Sequence, residues 1–298
     1  MKLYSKLAIG VLALGVAAAV SAQEPTGTLK KIKDTGSITI GNRESSIPFS
    51  YLDDKQQPIG YSMDLCNKVV DAIKTELKLP NLKVAYNPVT SQNRIPLVQN
   101  GTVDLECGST TNSVDRQKQV SFGVTTYVTG IKMLVKANSG IKDIADLNGK
   151  SVVTTTGTTS DALIKASEKG KNLDIKNQYG KDHADSFLMV DSGRAAGFVM
   201  DDVLLAGLIA SSKNPKDFAI VGEPFRVEPY GIMIRKDDPQ FKALVDKTLT
   251  GLMKSGEINK IYDKWFMNPI PPKGVNMNLP MSKELKDAIG NPNDKGVS

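Results

Sequence analysis

The chain has 298 residues and a formal net charge of +6, with 40% hydrophobic and 23% charged residues. These proportions are those of an ordinary globular protein, and the length allows one large domain or two smaller ones. Lysine and arginine are spread along the chain and mixed with acids rather than gathered in a basic stripe, which argues against nucleic-acid binding.

The first 22 residues have the pattern of a cleaved signal peptide. Lys2 and Lys6 form a short positive region, an apolar run follows over residues 7–20, and small residues precede the expected cleavage site after Ala22. A membrane anchor is the alternative, but the run is shorter than the about 20 apolar residues of a bilayer span. No cysteine stands directly after the run, which argues against a lipoprotein.

Short β-rich runs then alternate with segments of helical periodicity. Strands are predicted at residues 37–41, 82–86 and 102–106, and helices at residues 61–77 and 94–99. This alternation is typical of a mostly parallel sheet with helices on both faces.

The same pattern restarts near residue 131. Strands are predicted at residues 131–136, 151–155, 195–200 and 231–235, and helices at residues 144–147, 161–168, 203–211, 241–253 and 258–266. The tail from Asn268 is rich in Pro, Asn and Lys, and we expect it to wrap irregularly over the surface.

Two segments, residues 125–130 and 227–231, are candidates for strands that cross between the two α/β units. We therefore expect a two-lobed α/β protein. Lobe one would comprise residues 28–127 and 230–298, and lobe two residues 128–229. Ligands of open α/β sheets bind at the carboxyl ends of the strands, so the cleft between the lobes is the expected site.

Cys66 and Cys107 are the only cysteines, and with the single histidine they are too few for a zinc site of about four ligands. Two cysteines in an exported chain form a disulfide more often than not. Cys66 lies near the start of a predicted helix and Cys107 at the carboxyl end of a predicted strand. We expect the two to approach within bonding distance.

Polar side chains gather at the predicted carboxyl ends of the strands and provide three arginines, several hydroxyls and an aspartate. Arginine binds a carboxylate through paired charge-assisted hydrogen bonds, and aspartate pairs with an ammonium group. An amino acid uses one of each, so the two further arginines suggest a second carboxylate on the ligand. Asp201 is the expected ammonium partner, although the adjacent Asp202 is an alternative.

Several motifs resemble the type II periplasmic amino-acid-binding proteins of ATP-binding-cassette uptake systems, and more narrowly their glutamate/aspartate-binding branch. The motifs, in chain order, are GNRESSIPFSY (41–51), TSQNRIPLVQNGTVDLECGSTTN (90–112), RQKQVSF (116–122), GTTSD (157–161), KDHADSF (181–187), MDDVLLAG (200–207) and DKWFMNPIPP (263–272). Their order and spacing span most of the chain after the leader.

The resemblance implies hinge closure around L-glutamate or L-aspartate, delivery to a membrane permease, a periplasmic location, a monomer and no cofactor. It also implies a role for each matching residue: Arg116, Thr111 and Thr159 for the α-carboxylate; Ser109, Thr111 and Asp201 for the ammonium; and Arg43, Ser91, Arg94 and His183 for the side-chain carboxylate. An unperturbed histidine titrates near pH 6.5, so His183 can be charged or neutral near that pH. We expect the bound carboxylate to favour the charged imidazolium, so that binding takes up protons near neutral pH.

Two other functions remain open. The same fold serves some periplasmic dehydratases, and catalysis would need a positioned acid or base, for which His183 and Glu44 are the candidates. The second is a sensory module that relays its ligand to a membrane receptor. Because every polar group named above has a task in binding a zwitterion with an extra carboxylate, we expect a binding protein rather than an enzyme.

Overall fold

Two large β-sheets and one small three-stranded sheet form in the computed structural model, which describes residues 24–171 and 173–298. The predicted leader and its cleavage site lie outside the described residues. The helices are α1 Gly27–Thr35, α2 Tyr61–Leu77, α3 Arg94–Gln99, α4 Val114–Gln117, α5 Thr159–Lys171, α6 His183–Asp191, α7 Asp202–Ser211, α8 Pro239–Lys254, α9 Glu257–Tyr262 and α10 Lys283–Gly290. The strands are β1 Ser37–Asn42, β2 Ser45–Ser46, β3 Ser50–Leu52, β4 Pro58–Ile59, β5 Lys83–Pro88, β6 Leu105–Glu106, β7 Val120–Phe122, β8 Tyr127–Lys136, β9 Ser151–Thr155, β10 Lys176–Gly180, β11 Gly197–Asp201, β12 Phe218–Val221, β13 Val227–Tyr230 and β14 Met233–Arg235.

The first sheet has five strands in the order β5-β1-β6-β14-β7. Strand β1 pairs in parallel with β5 and β6, whereas β14 is antiparallel to both β6 and β7, so β14 alone runs against the other four. Helix α2 buries an apolar stripe that includes Leu65, Val69 and Ile73. Cys66 of this stripe forms a disulfide with Cys107, as predicted.

The second sheet repeats this arrangement in the order β10-β9-β11-β8-β12. Strand β8 is antiparallel to both β11 and β12, while β9 is parallel to β10 and β11. The two sheets, each mixed but mostly of one direction and flanked by helices, confirm the predicted two-lobed α/β class. We call the half built on the first sheet lobe one and the half built on the second lobe two.

The lobes are joined at the predicted crossings. Strand β13 pairs with the start of β8, with Tyr230 opposite Tyr127. Aromatic side chains pack around this pair: Phe49 lies 4.8 Å from Tyr127 and 5.2 Å from Tyr230, centroid to centroid, and Phe266 lies 5.1 Å from Tyr127. The crossing strands therefore rest on an aromatic core. The residue limits assigned to the lobes from sequence remain predictions.

Some elements differ from the prediction. The strand expected over 102–106 is reduced to β6, because the Asp104 carboxylate accepts the Thr39 N–H at 2.9 Å in place of a regular ladder bond. Helix α6 was not predicted, since its buried positions include the polar residues His183 and Ser186. Helix α10 lies within the tail that was expected to be irregular. Among the described helices, none combines the length and hydropathy of a membrane span.

Candidate functional site

The nine predicted ligand residues lie at the facing ends of the two sheets. In lobe one, Arg43 follows β1 directly and Arg94 begins α3. In lobe two, Asp201 ends β11 and His183 begins α6. These four side chains are almost fully buried, with exposures of 0%, 2%, 2% and 1% respectively. Charged groups this deep require partners of opposite charge or a ligand.

Arg43 reaches from lobe one to lobe two. Its Nη2 donates to the Asp182 carboxylate at 2.6 Å and lies 3.4 Å from Nε2 of His183. Although burial acts to raise the pKa of Asp182, Arg43 and His183 bring it down to about 2, so this carboxylate is ionised. Asp182 also caps α6 by accepting the His183 N–H at 2.8 Å. The ion pair thus fixes both the arginine and the start of the helix.

His183 differs electrostatically from the sequence expectation. Its Nδ1 lies 3.0 Å from the Thr155 hydroxyl, and its Nε2 faces the cationic Arg43. Burial, helped by the Arg43 guanidinium, lowers the pKa of His183 to about 3. An imidazole in this environment does not titrate near pH 6.5, because a second buried positive charge beside Arg43 is unfavourable. His183 is therefore neutral at physiological pH.

Arg94 is supported by a buried acid that the sequence analysis missed. Its Nη1 donates to the Thr110 hydroxyl at 2.6 Å, and that hydroxyl donates to Glu106 at 2.6 Å. Arg94 Nη1 lies 4.0 Å from Glu106 Oε1. Burial and the charge of Arg116 lower the pKa of Arg94 to about 9, while Glu106 opposes this shift. Arg94 remains charged at neutral pH, and a further anion beside it would stabilise this charge.

Arg116 lies on α4, where the lobes meet. Its Nη1 donates to the Thr111 carbonyl at 2.9 Å and its Nη2 donates to the Gly157 carbonyl of lobe two at 3.3 Å. Gly157 has a φ of +80°, and a Cβ there would lie 2.7 Å from the Gln92 backbone of lobe one. Only glycine permits this close approach, so the loop before α5 rests directly against lobe one.

Glu228, on β13, joins the two lobes and was also missed. Its Oε2 accepts the hydroxyls of Thr111 from lobe one at 2.5 Å and Thr159 from lobe two at 2.8 Å. Its Oε1 accepts from the Arg226 guanidinium Nε at 2.9 Å. Glu228 is fully buried, so this one carboxylate connects both sides of the cleft and the crossing strand.

The geometry separates the two adjacent aspartates. Asp202 caps its own helix: its Oδ1 accepts the Val203 N–H at 2.7 Å and the Thr129 hydroxyl at 2.7 Å. Asp201 accepts the Tyr230 hydroxyl with Oδ2, and its Oδ1 has no hydrogen-bond partner among the described residues. Burial and the nearby Glu228 raise the pKa of Asp201 well above its usual range. Of the two aspartates, Asp201 is thus the one with an acceptor oxygen that no described residue engages.

Several buried polar atoms have no hydrogen-bond partner in the described part of the chain. Among the predicted ligand residues they are Arg43 Nε and Nη1, Ser91 Oγ, Arg94 Nε, Ser109 Oγ and Asp201 Oδ1, and elsewhere they are Asn42 Oδ1, Ser46 Oγ, Glu106 Oε1 and Ser160 Oγ. Such atoms are rare in folded proteins and each costs about 1–3 kcal/mol when it stays unpaired. Five of the nine predicted ligand residues contribute to this set.

The two missed acids and Asp182 share one property. Each acts electrostatically on a buried arginine of the site: Glu106 on Arg94, Glu228 on Arg116 and Asp182 on Arg43. Glu106 and Asp182 lie within the quoted motifs, and Glu106 stands between the apolar residues Leu105 and Cys107. A glutamate in a buried strand was a signal that could have identified it. Glu228 lies in a crossing strand, and its partners come from distant segments.

A family model described as "Bacterial extracellular solute-binding proteins, family 3" matches residues 38–268. Among curated proteins, the chain is 56% identical to an L-glutamate/L-aspartate-binding protein of Pseudomonas aeruginosa, with 98% of this chain and 97% of that protein covered. It is 50% identical to a glutamate/aspartate import solute-binding protein of Escherichia coli, with 98% and 99% covered.

Solved structures show the same architecture. A mutant of ArgBP from T. maritima superposes with a TM-score of 0.71 at 26% identity, covering 80% of this chain and 99% of its own. An ancestral amino acid-binding protein, described as a precursor of cyclohexadienyl dehydratase, superposes with a TM-score of 0.69 at 30% identity, covering 80% and 99%. The fold is therefore that of type II periplasmic binding proteins.

Proposed function

Since this chain belongs to family 3 of the bacterial extracellular solute-binding proteins, we propose that it captures L-glutamate, L-aspartate or both and delivers them to the permease of an ATP-binding-cassette importer. The protein acts outside the cytoplasm. We assign it more narrowly to the periplasm, after cleavage of the leader behind Ala22. Both curated relatives named above are binding proteins, one of them of an import system, and the activity of this chain is binding rather than catalysis.

The set of buried, unpartnered polar atoms is the observation that supports this ligand class best. At the end formed by Arg43, Arg94 and Ser91, the unpartnered atoms of these three residues are guanidinium nitrogens and one hydroxyl, and Glu106 Oε1 near Arg94 also has no partner in the described part of the chain. A carboxylate accepts hydrogen bonds from the nitrogens and the hydroxyl and offsets the buried positive charge. The amide of glutamine or asparagine would turn an NH₂ group toward donors, which leaves groups unpaired.

The opposite end of the cleft suits the backbone groups of an amino acid. Arg116 is the residue for the α-carboxylate, together with Thr111 and the amino terminus of α5 at Thr159. The ammonium group would donate to Asp201 Oδ1, with Ser109 beside it. Glu228 adds a second carboxylate at this end. It raises the pKa of Asp201, and it opposes the lowering of the pKa of Arg116 by burial.

We further propose that lobe one comprises residues 28–127 and 230–298, that lobe two comprises residues 128–229, and that the cleft closes by bending at β8 and β13. Three contacts across the cleft support a closed arrangement: Arg43 with Asp182, Arg116 with Gly157, and Ser45 with Ala184. A ligand held by both lobes stabilises this arrangement, and a permease can then distinguish it from the open one.

The enzyme alternative is weaker on the chemistry of the site. Both ring nitrogens of His183 face partners, and its lowered pKa makes it a poor proton donor or acceptor near neutral pH. The ancestral relative of a dehydratase shows that the fold alone does not decide this question.

Titration calorimetry tests the proposal. Ligand-free protein should bind L-glutamate, L-aspartate or both, and should bind L-glutamine and L-asparagine at least about a hundredfold more weakly, since unpaired buried groups discriminate strongly. The bound ligand, recovered and analysed by mass spectrometry, should be chemically unchanged. Equal affinity for acids and amides, or conversion of the ligand, would contradict the proposal.

A further inference from the structure

The last residues of the chain lie against the segment that carries Arg116. The family match ends at residue 268, so the tail that follows is outside the shared family model. After α10, residues 293–297 run along Asn112 and Val114 at the edge of lobe one. We call residues 293–297 the C-terminal strap.

Backbone hydrogen bonds hold the strap on both sides of Ser113. The Val114 N–H donates to the Val297 carbonyl at 2.9 Å, and the Val297 N–H donates to the Asn112 carbonyl at 3.0 Å. Near the start of the strap, the Asp294 backbone carbonyl accepts hydrogen bonds from the side-chain amides of Asn112 and Gln117, each at 2.9 Å.

The segment that the strap contacts is short, and it carries Arg116. Helix α4 has only four residues, too few to be stable on its own. Ser113 caps α4 by accepting the Arg116 N–H at 3.3 Å, and Arg116 Nη1 donates to the Thr111 carbonyl. The backbone that fixes the Arg116 guanidinium is therefore the same backbone that pairs with the strap.

We propose that the C-terminal strap is a positioning element for ligand binding: it holds α4 in place, so that the Arg116 guanidinium is preset for the α-carboxylate. The inference rests on the proposed role of Arg116 and extends it to residues about 180 positions away in sequence. Preset geometry raises affinity because less freedom is lost on binding.

Gly296 offers a direct test. A Cβ at Gly296 would lie 2.9 Å from the backbone of Ser113 and of Val114, so Gly296→Val should push the strap away from α4. Gly290, at the end of α10, is the matched control because nothing lies within 4 Å of its Cβ position. Calorimetry should show about tenfold weaker binding of both glutamate and aspartate for Gly296→Val, from loss of about two hydrogen bonds, and little change for Gly290→Val.

A double-mutant cycle separates positioning from general stability. If the strap acts through Arg116, Gly296→Val should have little further effect in an Arg116→Lys background, whereas independent effects would add. Val297→Pro, which removes the N–H donated to Asn112, should weaken binding as Gly296→Val does, and Val297→Ala should not. Hydrogen exchange at the Val114 amide reports whether the strap has moved, even in a variant of reduced stability.

The outcomes are distinct. Wild-type affinity in Gly296→Val and Val297→Pro, with fast exchange at Val114, would overturn the strap inference and leave the proposed function intact. Additive effects in the cycle would overturn it as well. Failure of the wild-type protein to bind either acidic amino acid would overturn the proposed function and the strap inference together.

Discussion

The guanidinium of Arg43 donates to the carboxylate of Asp182 across the cleft at 2.6 Å, although the two residues are 139 positions apart. One nitrogen of Arg43 is thereby committed to lobe two, while Nε and Nη1 have no partner among the described residues. The ion pair orients these two donors toward the cleft and keeps the lobes together. A carboxylate bound between the lobes would complete the coordination of the guanidinium.

Arg116→Lys should weaken binding of glutamate and aspartate by at least about tenfold, and by the same factor for both ligands. Lysine keeps the charge but loses the planar fork that contacts a carboxylate at two points. The α-carboxylate is common to both ligands, so their affinity ratio should stay constant. Calorimetry of the two proteins side by side checks this, and near-normal affinity would remove Arg116 from the α-carboxylate site.

Replacement of Arg43 or Arg94 by Gln should change specificity. We expect glutamate and aspartate to lose affinity by a hundredfold or so, since each arginine makes charge-assisted hydrogen bonds to the second carboxylate, and glutamine and asparagine to lose much less. Arg194, which is exposed, supplies the control Arg194→Gln. Competition binding with all four amino acids is the measurement. An equal loss for all four would indicate a structural role instead.

Glu228→Gln should weaken binding of every amino acid ligand by about tenfold. The amide oxygen can still accept one threonine hydroxyl, but the negative charge near the ligand ammonium is lost and Arg226 loses its buried partner. The nearby Glu223 is exposed, so Glu223→Gln is the matched control. Affinities that do not differ between these two variants would show that Glu228 has no part in binding.

His183 should not take up a proton when glutamate binds between pH 6 and 8, because its pKa in the folded protein is about 3. Calorimetry in buffers of different ionisation enthalpy measures this directly. His183→Gln should keep the pH dependence of affinity in that range, although it should lower the affinity itself. Proton uptake that disappears in His183→Gln would contradict the neutral assignment.

The same histidine should affect stability in acid. Its folded pKa of about 3 lies below the ordinary value of 6.5, so the unfolded chain binds more protons between these two pH values. The free energy of unfolding should therefore fall as pH drops through this window, by at most about 1.4 kcal/mol per pH unit from this group. Urea unfolding of wild type and His183→Gln at pH 7 and pH 5 should show a smaller decrease in the variant, and equal decreases would refute the prediction.

The disulfide between Cys66 and Cys107 should contribute about 2–4 kcal/mol to stability, since it closes a loop of 41 positions. The Cys66→Ala/Cys107→Ala double variant should unfold at lower urea concentration. It should still bind ligand, because neither cysteine belongs to the site. Alkylation of the native exported protein, followed by mass measurement, should count no free thiol. Two alkylated cysteines would exclude the bond.

The sequence predicted an element best where the residues of that element alone determine its structure. Residues 61–77 have a long apolar stripe, and the predicted helix has the bounds of α2. The predicted ligand residues at strand ends come together because parallel strands share an edge. Asp201 could not be separated from Asp202 in this way, since only the fold shows that Asp202 is engaged by Thr129.

The partners of the charged groups could not be predicted from the sequence, because they come from segments that only the tertiary structure brings together. Glu228 contacts Thr111 and Thr159 only once segments far apart in sequence have folded against the crossing strand. The lowered pKa of His183 likewise depends on the approach of Arg43 from the other lobe. Residue types indicate which charges a site can hold, whereas their balance requires the tertiary structure.

A crystal structure of the protein with bound L-glutamate tests the central claim most directly. It should show the ligand between the lobes, with its α-carboxylate on Arg116, its ammonium group on Asp201 Oδ1, and its side-chain carboxylate on Arg43 and Arg94. The buried atoms without partners should each be within hydrogen-bond distance of the ligand or of an ordered water. Glutamate bound outside the cleft, or oriented with its side-chain carboxylate on Arg116, would contradict this account.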